Sequence, residues 1–166
     1  VLEALAEALA TRLAAYDIDV VAGLPTLGLT LAAAVARALG HARYVPLGTS
    51  RKFWYREELS VSLSSITTPN QEKRLYIDPR MLPLLEGKRV ALVDDVISSG
   101  ASIVSGLSLL TSCGIRPVVI GAAMLQSERW RDSVDLEGGQ WSERIVGVLS
   151  TPILERSQNG GWRRPN

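Results

Sequence analysis

The sequence predicts an α/β protein built on a mostly parallel sheet flanked by helices. Two observations point there. Short apolar runs of strand character alternate with helix-period segments along most of the chain. The runs are also continuously apolar, as strands covered on both faces require. Sheets of this kind bind ligands at the carboxyl ends of their strands, so the loops that follow each run carry the functional information.

The elements follow in order. An amphipathic helix is predicted over about 2–15, with Glu3, Glu7 and Arg12 on its polar side. "IDVVAG" (18–23) is a short strand ending at a glycine, and "LTLAAAVARALG" (29–40) is a helix stopped by Gly40. "ARYVPL" (42–47) is a second strand and "RVALVD" (89–94) a buried one that ends in the pair Asp94-Asp95. "ASIVSGLSLLTSCG" (101–114) is a helix closed by Gly114, followed by strands over 116–125 and 144–149. Residues 48–88 break the rhythm: they hold no clear helix, and "LSVSLSSITT" and "KRLYID" read as the arms of a projecting hairpin. The polar tail "ERSQNGGWRRPN" is expected to fray unless it docks.

Composition narrows the function. The chain has 166 residues, 46% of them hydrophobic and 21% charged, with a formal net charge of +1. This is the make-up of one ordinary globular domain covering 1–166, without the basic excess of a protein that grips duplex nucleic acid through its phosphates. The three arginines and the tryptophan of "RSQNGGWRRP" read as a solvated tail rather than a nucleic-acid module. Cys113 is the single cysteine, which excludes an intrachain disulfide and a multi-cysteine zinc site. His41 is the single histidine and follows a helix end, so a Ser-His-Asp centre is not expected. There is no run of 18 apolar residues and no secretory pattern, so a cytoplasmic protein with no membrane contact is expected. The chain starts at Val1 rather than methionine, as a trimmed chain lacking an upstream segment would.

Two loops carry chemistry. "GLPTLGLT", Gly23 to Thr30, leaves a strand and opens a helix, where free backbone N–H groups favour an anion. Its spacing approaches a P-loop, but Leu29 stands where the lysine belongs, which excludes a P-loop nucleotidase. "VALVDDVISSGAS", Val90 to Ser102, drives a strand into two carboxylates and then offers small residues at a helix N-terminus. The carboxylates suit the vicinal hydroxyls of a ribose, and the turn suits a phosphate. For any one residue here a turn or a cap is the commoner explanation, but the whole string with a second anion loop is not explained that way.

"VALVDDVISSGAS" closely resembles the phosphoribosyl-pyrophosphate (PRPP) signature of type I phosphoribosyltransferases, and the resemblance extends over about 18–125. "YVPLGTSRK" and "LEGKRVALVDD" resemble the adenine branch of that family. The resemblance implies the type I fold with a flexible loop over about 48–80 and a small variable hood and tail over 126–166. It implies that Asp94 and Asp95 hold the ribose, and that Ser98, Ser99, Gly100, Ala101 and Ser102 cradle the 5′-phosphate. Gly100 would sit where the backbone approaches the phosphate, so a side chain there would block it. Leu24, Pro25, Thr26, Leu27 and Gly28 would contact pyrophosphate, in a loop whose relatives often hold a strained peptide. Arg51 and Lys52 would act catalytically by neutralising pyrophosphate. It implies Mg²⁺ bound mainly through PRPP, a nucleobase as second substrate, a role in purine salvage, and a homodimer.

The chain departs from the adenine branch on the loop. Where that branch carries an "LEYG"-like stretch with a glutamate near the base, this chain has "TTPNQEK", and Glu72 does not align with it. A non-catalytic PRPP- or nucleotide-binding regulator of the same fold is the alternative. Phe53, Trp54 and Tyr55 read either as a partly buried aromatic cluster or dimer contact, or as a lid. Trp130 and Trp141 fit either a stack on a purine or the anchoring of a surface helix.

Overall fold

The computed structural model describes residues 1–63, 73–136, 138–157 and 160–164. Helix α1 (Leu2–Leu13) leads into strand β1 (Val20–Gly23), helix α2 (Gly28–Ala38) and strand β2 (Val45–Pro46). A hairpin of β3 (Ser60–Leu63) and β4 (Lys73–Tyr76) follows. Then come β5 (Val90–Ile97), α3 (Ala101–Ser112), β6 (Val119–Gln126), α4 (Trp130–Asp135) and β7 (Ile145–Thr151). A last hairpin pairs β8 (Glu155–Arg156) with β9 (Trp162–Arg163).

Five strands form one parallel sheet in the order β2-β1-β5-β6-β7. Alternation along each strand divides its residues between two cores. Val20, Ala22, Val90, Leu92, Ile120 and Ala122 pack in one core with Ile103, Leu107 and Leu110 of α3. Val21, Ala91, Val93 and Val119 pack in the other with Leu9 and Leu13 of α1 and Leu31 and Val35 of α2. The result is the three-layer arrangement that the alternating sequence predicts.

Small residues bring layers close where the site is built. A Cβ on Gly23 would lie 2.7 Å from the Cβ of Ala32, so α2 packs directly on the end of β1. A Cβ on Gly121 would lie 3.2 Å from a Leu9 methyl, so α1 beds on β6 in the same way.

The structure departs from the sequence expectation at several elements. The central strand does not stop at the carboxylates but continues to Ile97. β1 pairs with it only as far as Gly23↔Val93, whereas Asp94, Val96 and Ile97 stay in register with Ala122, Met124 and Leu125 of β6. The two aspartates therefore sit at a step in the sheet, beside a neighbour that has just ended. β2 is shortened to two residues at the sheet edge, where Pro46 offers no N–H to a ladder. The tail is not wholly irregular: β8 and β9 pair and Arg163 bridges Glu155 at 2.8 Å. In α4, Trp130 is 1% exposed and its Nε1 donates to the Ser127 carbonyl at 2.8 Å, which is the helix-anchoring reading of that residue. The hairpin arms appear as β3 and β4, while 64–72, with Glu72 and nearly all of "TTPNQEK", lies outside the described residues.

Candidate functional site

The parallel pairing of β1 with β5 sets the loops after both strands side by side. The Leu24 N–H donates to the Val93 carbonyl at 2.9 Å, tying the start of the first loop to β5. The Pro25–Thr26 peptide is cis, in the loop where the resemblance implies an unusual peptide. The loop then returns over the carboxylates. A Cβ on Gly28 would lie 2.6 Å from Asp94 Oδ1 and 3.0 Å from its Cα, so glycine is needed for this contact. Leu24 is 1% exposed and belongs to the core; Thr26 and Leu27 are exposed.

Asp94 is 5% exposed, and its Oδ1 accepts the Asp95 N–H at 2.9 Å. Burial, followed by the hydrogen bond with the Asp95 carboxyl, pushes its pKa up to about 8. Asp94 is therefore mostly neutral at pH 7. Asp95 is half-buried.

Beyond β5, the 98–103 turn, with Asp94, Val96 and Ile97, lines a cavity of about 100 Å³. No side chain caps the N-terminus of α3. Ser99 Oγ reaches only the Ala101 N–H, at a long 3.4 Å, so the first-turn donors face the cavity without a close protein acceptor. Ser98 donates its hydroxyl proton to Gln126 Oε1 at 2.7 Å.

Gly100 is needed for a reason other than the expected one. Its φ is +83°, and an added Cβ would meet the Trp130 carbonyl and Val134 Cγ1, each at 3.2 Å. The position is closed by α4 as well as by its backbone conformation. Gly100→Val is expected to lower stability by about 2–4 kcal/mol from left-handed strain and overpacking. Denaturant titration of the unliganded variant checks this.

Arg51 and Lys52 stand apart. They do not line the cavity, and both are exposed. Arg51 pairs with Glu57 at 3.2 Å, while Lys52 has no ion pair among the described residues. The neighbouring aromatics form a cluster. Trp54 Nε1 donates to Asp78 Oδ2 at 3.1 Å, Arg80 lies 4.6 Å above the Trp54 ring, and Tyr55 stands 5.9 Å from Tyr76. Hydrogen bonds from Arg80 hold the Asp78 carboxyl down to about 2. Phe53 is 96% exposed.

Sequence reasoning missed Asp78 and Gln126. Asp78 could have been found as the residue before a proline at a helix start, and Gln126 by its place at the carboxyl end of β6. Among the described residues no three His, Cys, Asp or Glu side chains group as a metal site, and no helix is long and apolar enough to cross a membrane.

Comparisons with known proteins agree with this geometry. The family model "Phosphoribosyl transferase domain" matches residues 1–148. The chain is 35% identical over 143 residues to an orotate phosphoribosyltransferase of Halorhodospira halophila, covering 85% of this chain and 58% of that protein. It is 30% identical over 157 residues to an adenine phosphoribosyltransferase of Neisseria meningitidis, covering 95% of this chain and 74% of that protein. Among solved structures, the adenine phosphoribosyltransferase of Thermoanaerobacter pseudethanolicus superposes with a TM-score of 0.70 at 23% identity, over 90% of this chain and 80% of that one. The APRTase of Giardia lamblia gives 0.73 at 20% identity, over 90% and 78%. A shared fold and a domain match running from Val1 through the PRPP-like string to β7 place this chain in the phosphoribosyltransferase family.

Proposed function

We propose that the chain transfers the 5-phosphoribosyl group of magnesium-bound PRPP to a purine base and releases pyrophosphate. The observation that carries the reading is the meeting of three features at one step in the sheet. These are the Asp94-Asp95 pair, the uncapped N-terminus of α3 and the Gly28 loop lying on Asp94. An acceptor pair beside a donor cradle suits a sugar phosphate, and a second donor loop suits a pyrophosphate on the same sugar.

In this reading the bond from C1 to the pyrophosphate oxygen breaks as a ring nitrogen of the base bonds to C1. Positive charge develops at C1 and negative charge on the departing pyrophosphate. Ser98 to Ser102 hold the 5′-phosphate, and Asp94 and Asp95 hold the ribose hydroxyls. Keeping Asp94 protonated removes one negative charge from a site that must admit a polyanion. The backbone of Leu24 to Gly28, with Arg51 and Lys52, meets the pyrophosphate as its charge grows. The absence of a three-carboxylate group among the described residues fits magnesium arriving on the substrate, since that ion commonly pairs few protein ligands with substrate phosphates. Residues 48–80 would close over the centre and exclude water.

A purine is favoured because the match to the adenine relative runs over 95% of this chain. The same reading takes 1–166 as one domain, with 126–166 as hood and tail, acting as a homodimer in the cytoplasm. The location of Arg51 and Lys52 outside the cavity, with Arg51 engaged by Glu57, favours a second reading in which a regulator binds PRPP without turning it over. A panel of purines and pyrimidines with magnesium-PRPP separates the two. Pyrophosphate release with a purine is expected; binding without release from any base would leave the regulator.

A further inference from the structure

Three polar side chains lie across the carboxyl ends of the three strands β5, β6 and β7. Ser98, just past β5, donates to Gln126 Oε1 at 2.7 Å. Gln126 ends β6 and stands in register with Thr151, which ends β7. Register partners in a parallel sheet share a face, so the Gln126 and Thr151 side chains are neighbours. Thr151 Oγ1 is buried and has no hydrogen-bond partner. A buried hydroxyl without a partner is costly, and it marks a network that a small rearrangement can complete.

The direction of the Ser98 bond makes the same point. A serine hydroxyl has one proton, and here it is given to Gln126. In this arrangement Ser98 can only accept, and an acceptor is the wrong partner for a phosphate. A side-chain amide can offer either end. With the Gln126 amide reversed, Nε2–H donates to Ser98 Oγ and frees the serine proton for an anion in the cavity. The reversed Oε1 is then an acceptor for the orphaned Thr151 hydroxyl. All groups would be satisfied, in one direction: Thr151 to Gln126, Gln126 to Ser98, Ser98 to phosphate. Each bond in such a chain polarises the next, and the last is charge-assisted.

Building on the phosphoribosyl reading, we propose that Gln126 is a positioning residue for the 5′-phosphate. Its amide holds the Ser98 proton in the unliganded protein and reverses against Thr151 when a phosphate enters. Gln126 acts through Ser98 and does not touch the substrate. It therefore affects ligands that carry the sugar phosphate and spares pyrophosphate, which binds on the β1 side.

The test is calorimetric titration of ribose 5-phosphate and, separately, of magnesium-pyrophosphate. The proteins are the unaltered chain, Ser98→Ala, Gln126→Leu and the double variant. Gln126→Leu is expected to weaken ribose 5-phosphate roughly tenfold through the lost charge-assisted chain. Pyrophosphate affinity should stay unchanged, and the double variant should be no weaker than Ser98→Ala alone. Unchanged ribose 5-phosphate affinity in Gln126→Leu, or effects that multiply in the double variant, would overturn the proposal. If Gln126→Leu fails to fold, Gln126→Glu serves. Its ionised carboxylate cannot donate, so affinity relative to the unaltered chain should be low at neutral pH and recover as that carboxyl protonates. A ratio that does not move with pH counts against the relay. If the unaltered chain binds neither ligand, the phosphoribosyl reading itself fails and the relay with it.

Discussion

Asp94→Asn is expected to make the unliganded protein more stable at pH 7 while weakening PRPP at least tenfold. The aspartate is 5% exposed and holds its proton up to about pH 8, whereas in the unfolded chain it releases it near the ordinary value of 3.8. Between those two values the native state binds one proton more than the unfolded state. Stability contributed by the neutral carboxyl is thus present in full below about pH 4, falls as pH rises, and is lost above about pH 8. Asparagine keeps an oxygen for the Asp95 N–H and does not titrate. The variant should gain about 2–4 kcal/mol at pH 7 from removal of this penalty. Urea titrations at pH 5 and pH 8 check it: the gap between variant and parent should widen with pH. A constant gap would place the buried proton elsewhere. Weakened PRPP in a protein made more stable would mark Asp94 as a residue kept for the ligand at a cost to the fold.

Lys52→Ala is expected to lower kcat by about 10²–10³ with a suitable base, the usual loss when one donor to a developing negative charge is removed. The PRPP dissociation constant should rise much less, because an interaction stronger in the transition state affects turnover more than binding. Lys52 is exposed and has no ion pair among the described residues, so its charge is available. A regulator would give weakened binding and no turnover from any base. An ordinary solvated lysine would give no change in either measurement. Turnover and binding measured on this one variant separate the three outcomes.

Much of the architecture could be read from the chain because strands buried on both faces write themselves as unbroken apolar runs. Val90 to Val93 is the plainest case. The chemistry of "VALVDDVISSGAS" was also visible, since paired carboxylates followed by small residues suit few other purposes. What escaped depends on neighbours distant in sequence. The continuation of β5 to Ile97 is set by β6, which goes on pairing after β1 has stopped. The need for glycine at Gly100 is set by Trp130 and Val134 of α4, some thirty residues away, and at Gly28 by Asp94. The reach of Gln126 to Ser98 spans 28 residues and leaves no local signature. The Trp54–Asp78–Arg80 cluster escaped for the same reason, because its partners lie on either side of the hairpin.

Titration of magnesium-PRPP into the unaltered chain and into Asp95→Asn tests the assignment of the sheet step most directly. Asp95 is half-buried at the mouth of the step, and its replacement by a neutral isostere leaves the backbone of β5 unchanged in kind. Saturable binding to the parent and at least a tenfold loss in the folded variant, as for other charge-assisted hydrogen bonds to a ligand, is the expected result. Equal affinity in the two folded proteins would contradict it.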